Sequence, residues 1–111
     1  GNLGYTSSTR ESKINIQDLG STSWIYDLTP VSFNRRKLDE AGKYTDDFHP
    51  ETQAGLIAED AKLVNDEIIM YAEVEGVNKI VGIHYDRLIT PILKALQDLR
   101  KEFDEYKSTH P

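Results

Sequence analysis

Cysteine is missing from this chain altogether, and basic residues are in deficit: 13 lysines and arginines stand against 19 aspartates and glutamates, a net charge of −6 over 111 residues. Without a thiol there is no disulfide framework, no thiolate nucleophile and no thiolate metal ligand, and the redox compartment stays open. The acid excess repels phosphate backbones and anionic membranes, so nucleic acid is not an expected partner. No apolar run approaches the ~20 residues of a membrane span, and no basic-then-apolar leader opens the chain, which removes a membrane partner as well. A glycine-rich phosphate loop is absent, and His49, His84 and His110 are too scattered along the chain to make a metal site, so neither cofactor nor metal is expected.

A chain of this length buries only about two-thirds of its unfolded surface, so a modest core that gains from a partner is expected. The opening, Gly1-Asn2-Leu3-Gly4-Tyr5-Thr6, does not resemble a natural start and reads as the interior of a longer polypeptide. Residues 3–6 have the composition of a short strand. Lys13-Ile14-Asn15-Ile16 alternates, which would put Ile14 and Ile16 on one face of an extended segment. Ser21-Thr22-Ser23 reads as a cap for one or two helical turns over Trp24–Leu28, stopped at Thr29-Pro30, with Trp24 and Tyr26 as core residues.

Val31–Arg36 alternates as a strand. Lys37 to Thr52 is polar and irregular, with Gly42 and Pro50, and reads as a projecting loop or hairpin arm. Gln53–Ala58 has the look of a buried strand, followed by a helix over Ala58–Leu63. Glu67–Val74 and Lys79–Ile83 read as a hairpin around Glu75-Gly76-Val77-Asn78, with His84 on the outward side of its second strand. Asp46-Asp47 and Glu59-Asp60 read as solvated, with one carboxylate available to Lys13. The fold class expected is α+β, a small antiparallel sheet with short helices and a long C-terminal helix.

That helix carries the strongest periodicity. Tyr85, Ile89, Ile92, Leu96, Leu99, Phe103 and Tyr106 fall alternately four and three residues apart, the a/d seam of a coiled coil, with Leu88 and Ala95 widening it at g. Isoleucine at both a and d, together with wide aromatic layers, favours three strands, so a homotrimer is expected. The cap is either Asp86, or Thr90 with Pro91 at the first helical position, and the helix should run to about Lys107.

Near the other end, Ser8 and Lys13 stand five residues apart. A serine hydroxyl is a poor nucleophile unless a neighbour takes its proton, and a lysine amine can do so when shielded from water or set beside another cation, for which Arg10 is a candidate.

Three blocks occur in order: Ser8-x-Arg10-x-x-Lys13-x-Asn15-Ile16, Gly55-Leu56-Ile57-Ala58-Glu59-Asp60, and the run from Val81-Gly82-Ile83-His84-Tyr85-Asp86-Arg87 through Leu99. Together they resemble the C-terminal intramolecular chaperone domain of phage tail spikes, endosialidases and neck appendages, which also occurs in myelin regulatory factor. The resemblance covers nearly the whole chain. It implies residues 1–7 as the end of a β-rich spike or fibre, an α+β body over 8–84 with an arm at about 37–52, and a trimerisation helix over 85–107. It also implies a function: three copies align the upstream region of the same polypeptide while it folds. The module is then released by autoproteolysis beside Ser8, with Ser8 as nucleophile, Lys13 as general base and Arg87 stabilising the oxyanion. Assembly would take place in the host cytoplasm, and the mature virion would lack the released module.

Two positions depart from the family pattern. Gln53 stands where many members have histidine, the nearest being His49, and Thr9 follows the serine where aspartate is common. Ser7 is a second candidate nucleophile, but only Ser8 has the family's offset from the lysine. The alternative function is a non-cleaving trimerisation and folding module. A third reading, a receptor-binding tip, has only exposed aromatic residues in its favour.

Overall fold

A computed structural model of the chain describes residues 8–111. The short strand expected over residues 3–6, and Ser7 as alternative nucleophile, lie outside the described residues. The class is α+β, as the sequence implies: two small antiparallel sheets, short helices and one long C-terminal helix. The chain divides into two compact units, one of residues 8–25 and 84–111 and the other of residues 26–83.

In the unit of residues 26–83, β1 (Val31–Leu38) pairs antiparallel with β2 (Tyr44–Gly55). Of the two readings of the polar stretch, a projecting loop or a hairpin arm, the structure has the hairpin. Asp39 builds its turn, with Oδ1 accepting from the backbone N–H of Ala41 and of Lys43 at 2.9 Å each and Gly42 at φ +79°. The ladder slips between Asn34 and Arg36 and again between Arg36 and Leu38. Asn34 donates across the first slip to the carbonyls of His49 and Glu51, at 3.0 and 3.1 Å, and Pro50 sits between them, where a missing N–H breaks no regular pair.

The buried strand expected over Gln53–Ala58 does not form. β2 stops at Gly55, Leu56 is half-buried, and Ile57 is exposed at the entry to α1 (Ala58–Val64). A 3-10 turn at Asp66–Ile68 leads into β3 (Ile69–Val74), which pairs with β4 (Val77–Ile83). Glu75 and Gly76 both have positive φ, 51° and 77°, as a two-residue hairpin requires. Among the described residues there are therefore two two-stranded sheets rather than one, with α1 standing between β2 and β3, which do not pair. The core of this unit is small: Ala61 on α1 with Ile68, Ile69 and Ile83. Beside it Tyr71 donates its hydroxyl to Asp66, and the Lys62 amine lies 5.5 Å from the Tyr71 ring centre. Hydrogen bonding to Tyr71 raises the Lys62 pKa above its ordinary value.

In the other unit, α2 runs over Ile89–Thr109, preceded by a 3-10 turn at Tyr85–Arg87. Neither expected cap is used. Leu88 occupies the cap position with no side-chain bond, and its burial holds the helix start in place of a polar cap; Pro91 is the third helical residue. His84 lies past the end of β4, half-buried, with Nδ1 3.9 Å from Asp86 Oδ1. Ile14 and Ile16 form no strand, because Asn15 between them has φ +56°, and both are exposed. Tyr26, the first residue of the 26–83 unit and expected in its core, is also exposed, since the helical stretch around it is a single 3-10 run over Ser23–Asp27.

Candidate functional site

The segment after Ser8 is shaped by one turn. Thr9 caps a 3-10 helix at Arg10–Ser12: its carbonyl accepts from Ser12 N at 3.1 Å and from Ser12 Oγ at 2.8 Å, while Lys13 N donates to Arg10 O at 3.2 Å. A turn of this kind shortens the chain to about 2 Å per residue, which brings Ser8 within reach of the long Lys13 side chain. Lys13 Nζ and Ser8 Oγ meet at 2.8 Å. That is hydrogen-bond distance, within which a hydroxyl proton can pass to an unprotonated amine. The Ser8 hydroxyl holds the Lys13 amine. The Ser12 hydroxyl is committed to the Thr9 carbonyl, so it locks the turn rather than competing with Ser8. Nothing in the spacing of Ser8 and Lys13 signals this second serine, although an ST-type turn bond is its common use.

Ser8, Arg10 and Lys13 are all exposed in the single chain. The shielding that would let an amine act as a base is therefore not supplied by this chain alone. Arg87 lies on the 3-10 turn at Tyr85–Arg87 in the same unit, its N–H bonded to the His84 carbonyl at 2.9 Å. Gln53 belongs to the other unit, where its Oε1 accepts from Arg35 Nε at 3.1 Å.

One long-range bond joins the ends of the site-bearing unit. Thr22 is buried, 5% exposed, and its hydroxyl donates to the Pro91 carbonyl in α2 at 2.7 Å. The sequence reads Ser21-Thr22-Ser23 as a helix cap, and Ser21 Oγ accepts from Ser23 N–H at 3.4 Å while the Thr22 carbonyl accepts from Ile25 N–H at 3.0 Å; the Thr22 hydroxyl itself fastens the N-terminal segment to the first turn of α2. Farther along, Asp18 and Leu19 line a shallow depression with Thr90, Leu93, Lys94 and Gln97.

These contacts decide which face of α2 is used. Leu88 and Ala95 are buried, and Pro91, Lys94 and Asp98 on the adjoining side are half-buried. The a/d stripe of Tyr85, Ile89, Ile92, Leu96, Leu99, Phe103 and Tyr106 is turned away, each side chain between 47% and 71% exposed. Positions 88, 91 and 95 centre about a quarter-turn of the helix from positions 92, 96 and 99 at 100° per residue. The g positions therefore do not widen the seam; the chain's own packing consumes them. Among the described residues no cluster of three or more histidine, aspartate or glutamate side chains could hold a metal within one chain, and no helix is long and apolar enough to cross a membrane. Compared with known proteins, the chain matches no family model and no curated protein.

Proposed function

We propose that the chain is a trimerising folding module, carried behind a β-rich spike or fibre region of the same polypeptide, that sets three upstream chains in register and is then cut away beside Ser8. The observation that carries this reading is the uncovered apolar seam of α2. Six large side chains of α2, Ile89, Ile92, Leu96, Leu99, Phe103 and Tyr106, stand exposed in heptad register while another side of the helix is packed, and Tyr85 on the preceding 3-10 turn is half-exposed. A contiguous exposed stripe of this kind marks an interaction face, and its 3.5-residue period fits copies of itself. Burial at roughly 25 cal/mol per Å² would supply stability that a core of six buried apolar residues among those described lacks. Three intertwined chains carry a large loop-closure cost before their contacts form, and a prefolded clamp lowers it by raising the local concentration of aligned strands.

In the cutting step Lys13 Nζ takes the proton from Ser8 Oγ as the oxygen bonds to the adjoining peptide carbonyl. The positive charge of Arg87 serves the developing oxyanion, the leaving amine receives the proton, and water then hydrolyses the ester. Removal of the clamp leaves the fibre kinetically trapped, because separated chains have no means of realigning. The setting is host cytoplasm during virion assembly.

To test this, the chain is expressed behind its upstream segment. Wild type should sediment as a trimer and give two bands on a denaturing gel, and Ser8→Ala should give a trimer and one band. Equal full-length bands defeat the cutting step; a monomer defeats the whole reading. The non-cleaving module is the second reading. The exposure of Ser8 and Lys13, and a Gln53 bonded to Arg35 where the resembling family has histidine, favour it.

A further inference from the structure

The heptad that places Ile89, Leu96 and Phe103 at a places His110 at the next a position. His110 is the C-cap residue that follows α2, its N–H donating to the Tyr106 carbonyl at 2.9 Å while its own backbone leaves the helix at φ −130° and ψ 61°. The ring does not wave in solvent. It stacks on the seam residue Tyr106 at 4.1 Å between centres and 13° between planes. Nδ1 lies 3.0 Å from the Tyr106 carbonyl and 2.9 Å from Thr109 Oγ1. A carbonyl oxygen can only accept, so in the neutral ring Nδ1 carries the hydrogen and Nε2 keeps its lone pair. This is the arrangement of a metal-ligating histidine, whose second nitrogen donates to a backbone carbonyl that fixes tautomer and orientation.

We propose that three His110 imidazoles, one from each copy of the chain, converge at the end of the coil and hold one borderline divalent cation, Zn2+ or Ni2+, through Nε2. The inference rests on the trimer reading, and the site is incomplete in one chain. Three imidazoles with an open fourth position form a donor set that suits these ions. The C-terminal ends of three parallel helices also turn their carbonyls and negative dipole ends towards the same place, which favours a cation there. The ion would act as a clasp on the trimer, binding the assembled state and not the separated chains.

The full chain is dialysed against Zn2+ or Ni2+ alone, and metal content, sedimentation and thermal midpoint are measured together. The expected result is one metal per three chains and a raised midpoint. Both should survive in His49→Ala and His84→Ala, while His110→Ala weakens binding more than about 100-fold and Thr109→Val, which removes one bond to Nδ1, about tenfold. A trimer that keeps no metal, takes one metal per chain, or binds equally well as His110→Ala overturns the site and leaves the trimer reading standing. A chain that stays monomeric with and without metal overturns both.

Discussion

A lysine five residues beyond a serine reaches it only if the backbone between them is shortened, and here one 3-10 turn pinned by the Ser12 hydroxyl does so. The consequence is specific to the chemistry of the amine. Arginine can hold the same hydroxyl but does not give up its proton, so Lys13→Arg should keep the trimer and abolish the second gel band as completely as Ser8→Ala. A Lys13→Arg protein that still cuts would remove Lys13 as the base. Thr22 makes a different kind of contribution. Its side chain is buried and polar, and its hydroxyl satisfies the Pro91 carbonyl 69 residues away. Thr22→Val keeps the shape and loses the bond, which should cost about 1 kcal/mol, read as a lower urea midpoint at unchanged slope.

At the level of elements, α2 separates packing from assembly by face. Ala95 is 4% exposed and Leu96 is 61% exposed, although they are neighbours in sequence. Ala95→Leu should therefore overpack the chain's own interior at a cost of about 1–3 kcal/mol, seen as a lower melting temperature. Leu96→Asp should leave the secondary structure by circular dichroism unchanged and shift sedimentation from trimer to monomer. Reversal of these two outcomes would mean that the stripe is the intramolecular face. The elements differ in how readable they are. The 3.5-residue period of α2 and the turn after Val74 are local signals, so both are visible in the sequence, although the turn is two residues long and β4 starts at Val77 rather than at Lys79. The β1–β2 hairpin is legible only in part: Val31–Arg36 alternates as a strand, but two register slips and Pro50 destroy the alternation of the returning strand, so Lys37 to Thr52 reads equally as a loop or a hairpin arm. Leu56-Ile57 reads as buried because a short apolar run has no period of its own; its surroundings decide, and they leave Ile57 in water. Ser8 and Lys13 are legible because their contact spans one turn, whereas the bond from Thr22 to Pro91 joins positions that no local pattern relates.

For the whole molecule, the proposed assembly must also choose direction, and charges beside the seam bear on that choice. In the heptad of α2, Arg100 and Lys107 fall at e and Glu102 at g. In a parallel, in-register coil the g residue of one helix faces the e residue five positions later on its neighbour, which sets Glu102 against Lys107 of the next copy. An antiparallel pairing would set e against e and bring basic residues together. Within one chain Lys107 lies 3.6 Å from Asp104 and 5.0 Å from the Phe103 ring centre, an exposed arrangement that exchanges readily for a partner's carboxylate. Glu102→Lys and Lys107→Glu should each lower the trimer's thermal midpoint, by about 0.5 kcal/mol for each of the symmetry-related pairs at low salt, and the double variant should recover most of it. Because the pairs are exposed, the differences should collapse in about 1 M salt, where screening reaches within ~3 Å. If the double variant is no better than the sum of the singles, these charges do not face each other, and the copies are not parallel and in register.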